Sequence, residues 1–151
     1  MIIIAATDDP NLDTIAINSA ARARDTYGDI YKVFEHQIPP LGDEENLFII
    51  AHGAYEGDEG GPVIGSATDD FYLTPMDTYQ NLQSIFPNGY SGNVYIDACE
   101  SATEESVVSF IVLLKTVLLD NGFDCRVFGR EGLASGLIPL PGNPDWVEAS
   151  L

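Results

Sequence analysis

The sequence predicts an α/β fold, a three-layer αβα sandwich around a mainly parallel sheet. Short apolar runs of strand length alternate with longer segments whose apolar residues recur at helical spacing. In addition, residues 47–51 (LFIIA) are apolar without a break, as a central parallel strand covered on both faces requires.

Taken in order, residues 2–6 (IIIAA) form a first strand bounded by Thr7, Asp8, Asp9 and Pro10. Asp9 can cap a helix with Pro10 at its first position, and Leu12, Ile15, Ala16, Ser19 and Ala20 mark one face of it, with Gly28 as its stop. Residues 30–34 (IYKVF) alternate like a second strand, and QIPPLGDEEN reads as a loop without a helix. The third strand, 47–51, runs into the Gly- and acid-rich HGAYEGDEGG, after which PVIG and FYL suit a small hairpin. Thr74-Pro75 opens a helix with Met76, Tyr79, Leu82 and Phe86 near helical spacing. The fourth strand is 93–97 (NVYID). Ser101 and Glu104 have capping-box spacing before a long apolar helix ending near Gly122. Residues 124–129 (DCRVFG) give a fifth strand; no sixth is evident, and the Pro/Gly-rich remainder reads as a tail over the surface. A single domain follows, with its core in residues 1–132 and its tail in 133–151.

At 151 residues, 45% of them apolar, the chain can bury a core without metal or disulfide staples. Its 24 acids against 6 Lys and Arg give a formal charge of −18, which repels phosphate backbones and favours cationic partners. Nucleic acid is therefore excluded as a partner. MIIIAATDDP lacks the basic start of a secretory leader, and the longest apolar stretch, Val107 to Leu119, is interrupted and too short to span a bilayer. Two cysteines make no disulfide framework, so a reduced, cytoplasmic protein is expected.

In an open parallel sheet, ligands gather outside the carboxyl ends of the strands. Those ends carry Thr7-Asp8-Asp9, Glu35-His36, His52-Gly53, Asp97-Ala98-Cys99 and Gly129-Arg130-Glu131. If the third and fourth strands are neighbours, about 4.8 Å apart, His52 and Cys99 share an edge, where an imidazole can take the thiol proton. A helix start just behind Cys99 would favour its thiolate, and the amides of Gly53 and Cys99 could hold an oxyanion. His36, before a Pro-Pro loop, reads as a surface histidine, and Cys125 as a core thiol. EGDEGG lacks the D-x-D-x-D-G spacing of a calcium loop, so no cofactor is expected. Paired acids after a first strand also occur in phospho-receiver domains, but His52 and Arg130 stand where such a fold needs Asp and Lys.

A hydrophobic strand ending in His-Gly (LFIIAHG, 47–53), followed later by one ending in Asp-x-Cys-x-Ser (VYIDACESA, 94–102), resembles the caspase-like (clan CD) cysteine peptidases. The order of elements over residues 1–132 is similar as well. By that resemblance the sheet is caspase-like, His52 is the catalytic base and Cys99 the nucleophile. GREG (129–132) then stands where these enzymes place a substrate-flanking loop. Caspases hold a P1 aspartate with arginines, one near the end of the first strand; here that strand ends in Asp8 and Asp9. In the metacaspase- and paracaspase-like branch an acid two residues before the nucleophile selects P1 Arg or Lys. Asp97 matches it, and Asp8 and Glu131 are further acids for such an S1 pocket. The resemblance thus implies cleavage of basic peptides or proteins, with a homodimer or partner completing the cleft of so short a chain. The alternative is a noncatalytic module of the same fold whose acidic surface binds a basic partner.

Overall fold

The computed structural model describes residues 1–35, 37–56, 61–67, 71–98, 109–131 and 136–151. His36, Cys99, Ser101, Glu104 and most of EGDEGG lie outside them. The protein is a mixed α/β fold. Among the described residues six strands form one sheet in the order β2 (Ile30–Lys32), β1 (Ile2–Ile4), β3 (Leu47–Ile50), β7 (Asn93–Asp97), β8 (Arg126–Arg130), β9 (Trp146–Glu148). All neighbours are parallel except β9, which runs antiparallel to β8.

Residue parity along these strands sorts the core into two clusters, because successive side chains leave a strand on opposite faces. Ile2, Ile4, Phe48, Ile50 and Tyr95 pack with Leu12, Ala16 and Ala20 of α1 (Pro10–Arg22). Ile3, Leu47, Ile49, Val94, Ile96 and Val127 pack with Tyr79 and Leu82 of α3 (Pro75–Leu82) and with Phe110, Ile111, Leu114 and Leu118 of α4 (Phe110–Asp120). On the α1 face the rings of Phe48, Tyr95 and Phe128, on three adjacent strands, stack at 4.8 Å steps, the spacing of the strands themselves.

Helix starts follow their caps. Asp9 accepts from the amides of Asn11 and Leu12, and Pro10 needs no donor there. Thr74 and Asp77 form a reciprocal capping box at α3. Gly28, at φ 67°, closes the short helix α2 (Arg24–Tyr27) that continues α1. Met76 departs from expectation, since it is exposed rather than part of the buried face of α3.

Two expectations are corrected. First, α4 starts at Phe110 and is capped by Ser109, whose hydroxyl accepts from Val112, rather than by a Ser101–Glu104 box. Its first turn is apolar and offers no acid to announce the cap. Second, the tail supplies β9 as a sixth strand and covers part of the α1 face. Ile138 is fully buried: its amide donates to Ser19 Oγ at 3.0 Å, and Arg22 and Tyr27 donate to its carbonyl. Trp146 Nε1 donates to Pro139 O at 3.2 Å.

A second, antiparallel sheet of three strands, β4 (His52–Glu56), β5 (Pro62–Gly65) and β6 (Tyr72–Leu73), contains the hairpin expected from PVIG and FYL. It departs from the main sheet at the carboxyl end of β3, with only Ala51 between β3 and β4. Among the described residues no helix is long and apolar enough to cross a membrane.

Candidate functional site

The carboxyl ends of β1, β3, β7 and β8 lie side by side, and their exit residues form two buried or half-buried side-chain pairs. The first joins β1 to β3. The chain leaves β1 through Asp8, at φ 39°, a left-handed conformation that costs a non-glycine residue about 1 kcal/mol. This turn leads to Asp9, which caps α1 with Oδ1 and meets His52 Nε2 with Oδ2 at 2.5 Å. One carboxylate therefore holds both a helix N-terminus and an imidazole. The Asp9 side chain is 11% exposed and that of His52 34%, so the carboxylate is sheltered while the ring keeps a route to solvent.

The neighbouring hairpin braces this arrangement. Thr7 donates its amide to Ser66 Oγ at 3.0 Å, and the two hydroxyls are 2.9 Å apart, tying the end of β1 to the end of β5. His52 stands opposite Gly65, and Gly53 opposite Ile64. A Cβ on Gly53 would sit 3.0 Å from Ile64 Cα and 3.1 Å from Val63 O, a crowding by the hairpin backbone that favours glycine there. The expectation of Gly53 as an opening for a substrate thus has a packing explanation beside it.

The second pair joins β7 to β8. Arg130 donates through Nη1 to Asp97 Oδ1 at 2.7 Å, with both side chains at most 10% exposed. The guanidinium also lies over the ring of Trp146, 5.8 Å from its centroid. Burial pushes the Asp97 carboxyl up to about 6, against the downward pull of Arg130. Across the pH window from about 4 to 6 the folded chain therefore holds a proton that the unfolded chain, near 3.9, releases. This group lowers stability as pH rises through that window and contributes a constant amount above it. A ¹³C titration of the Asp97 carboxyl should show a midpoint near 6; a midpoint in the ordinary aspartate range would contradict the burial argument.

Of the residues singled out in the sequence, the structure brings His52 and Asp97 to one rim. β3 and β7 are direct neighbours, with Ile50 beside Asp97. Asp8 and Glu131 are exposed, and neither appears in an ion pair with another described residue. Cys99 lies outside the described residues. The sequence expectation of Asp97 as an unengaged acid for a substrate cation meets a carboxylate already matched by an internal arginine.

Two contacts were missed. Asp9 is legible in the sequence as a cap and as a strand-exit acid, but its second oxygen gives no local sign of a histidine partner 43 residues away. Arg130 is legible as a strand-exit residue, and nothing local pairs it with Asp97. Compared with protein-family models and with curated proteins, the sequence matches none.

Proposed function

We propose that the chain is a cysteine endopeptidase of caspase-like fold, a three-layer αβα sandwich in which His52 serves as base and Cys99 as nucleophile. The observation that carries this reading is the His52–Asp9 contact on the strand next to the one that leads into Cys99. In sequence, His52 lies two residues beyond Ile50 and Cys99 two residues beyond its partner Asp97.

The chemistry follows from the ring. With Nε2–H donated to Asp9, Nδ1 carries the lone pair and can accept the Cys99 thiol proton. The thiolate adds to a peptide carbonyl, and the developing oxyanion takes donors from the Gly53 and Cys99 amides. Collapse expels the amine, which receives the proton from His52 and leaves a thioester on Cys99. Water, deprotonated by the same imidazole, then releases the acid and regenerates the thiol. No cofactor enters this sequence.

A preference for basic P1 residues draws on the acids of the rim. Asp97 can contribute only if Arg130 withdraws, so Asp8 and Glu131 carry that preference in the resting arrangement. The second reading, an acidic binding module without catalysis, draws support from the net charge of −18 and from the cleft beside β9 described below.

Thiol alkylation separates the readings. Cys125 is an internal control: it is buried, and burial pushes its thiol up to about 11. Native protein treated with iodoacetamide and digested for mass spectrometry should carry label on Cys99, faster than on a free thiol, and none on Cys125 until denaturant is added. If both cysteines react alike and slowly, the module reading replaces the peptidase.

A further inference from the structure

We propose that the cleft between the first turn of α4 and the edge strand β9 is a docking groove for an extended basic peptide segment. A cavity of about 380 Å³ opens there, within the range of ligand sites. Its walls are Ser109, Ile111 and Val112 on the helix side and Val147 to Ser150 on the strand side, Glu148 included, with Glu131 at one end.

The backbone of β9 supplies the pairing groups. β9 is an edge of the six-stranded sheet. Gly129 stands opposite Val147 and Phe128 opposite Glu148, and the Ala149 amide donates to Val127 O at 2.8 Å. Hydrogen-bonded and non-hydrogen-bonded pairs alternate along an antiparallel ladder. Val147 and Ala149 therefore face β8, while the N–H and C=O of Glu148 and the C=O of Trp146 point to the edge that no described strand pairs with. The Trp146 amide is turned back to Asn143 O. An added strand can pair with the three outward groups, which is how edge strands capture extended peptides.

Side-chain alternation sets the chemistry of the occupant. Val127, Ala149 and the partly buried Val147 belong to the α4-side cluster, and Glu131 has the same parity as Val127. An added peptide would thus direct every second residue into a groove of mixed lining, with Ile111, Val112, Val147 and Ala149 beside the hydroxyls of Ser109 and Ser150 and a carboxylate at one end. The Glu148 carboxylate is bound bidentately by Arg126 at 2.7 and 2.8 Å, so among the described lining residues Glu131 is the acid placed to meet a cation. Valine or similar residues with an interposed Arg or Lys fit this pattern, and the charge of −18 draws such a segment in. Binding here needs no chemistry at Cys99 and does not depend on the peptidase reading.

The probe is a fluorescent, end-capped peptide Val-Thr-Arg-Thr-Val, titrated by anisotropy into the full chain carrying Cys99→Ala, so that cleavage plays no part. Binding should shift the amide resonances of Val147, Glu148 and Ala149. It should weaken by about tenfold or more with Glu131→Lys, with Glu in place of the peptide arginine, or with N-methylation of the peptide backbone. Glu131 is exposed, so its substitution leaves the fold intact. Equal binding of the N-methylated peptide, indifference to Glu131→Lys, or shifts confined to the His52 rim would overturn the proposal. So would a stable dimer of the chain paired through β9.

Discussion

Replacing His52 with Gln should lower hydrolysis of fluorogenic peptides bearing P1 Arg or Lys by about a thousandfold or more, without lowering the melting temperature. General base catalysis by a placed imidazole accounts for about 10²–10⁴ of rate, and nucleophile and base act as a unit, so either loss approaches the loss of both. The ring is about one-third exposed and its one described partner is Asp9, so little packing is lost. Asp9→Asn refines the same prediction. Asparagine caps helices about as well as aspartate, so α1 keeps its start, but the ring loses the carboxylate that fixes its tautomer. The expected result is a fall in kcat of at least about tenfold with KM unchanged. Asp9→Ala should show the same kinetic loss plus about 1 kcal/mol of destabilisation from the missing cap. Peptide hydrolysis that survives His52→Gln, or cleavage after P1 Asp that matches cleavage after Arg, would remove the corresponding part of the proposal.

Asp9 and His52 also show where a sequence stops speaking. Local signals were readable: Asp9 before Pro10, Thr74 before Pro75, and the unbroken apolar run at Leu47–Ile50 each depend on a few adjacent residues. The adjacency of β3 and β7, posed in the sequence as a condition because successive strands of such sheets are often neighbours, is met by their parallel pairing. What escaped depends on register. Asp97 reaches Arg130 because β7 and β8 pair with Tyr95 beside Phe128, a relation between residues that no periodicity encodes. Strand β9 escaped for a different reason. Three residues set among prolines and glycines carry no alternation, and Trp146 is strand only because β8 offers an edge. The start of α4 was misplaced because Ser101 has an acid three residues on and Ser109 has none, although Ser109 makes the cap.

Removing the arginine of the buried pair should be the most destabilising single change considered. Arg130→Met leaves Asp97 at the sheet rim with the Nη1 hydrogen bond gone and no charge to match its own. Breaking such a pair from one side costs about 3–5 kcal/mol, a large fraction of a domain's total stability. The loss should depend on pH with a definite sign. Without the guanidinium the Asp97 carboxyl rises further above its unfolded value, so the mutant is penalised least where the folded chain can keep it protonated. Urea unfolding should therefore show a smaller gap between mutant and parent at pH 5 than at pH 7. Replacing both partners, Arg130→Met with Asp97→Leu, should recover most of the loss, since an apolar pair of similar volume needs no desolvation of charge. If the single change proves as mild as the double, the pair is not the brace between β7 and β8 that its geometry implies. The comparison bears on the rim as well. On the proposed reading, a pair costly to open keeps Asp97 out of substrate recognition, and a basic preference that persists in the double variant would be assigned to the remaining acids, with Asp8 and Glu131 tested first.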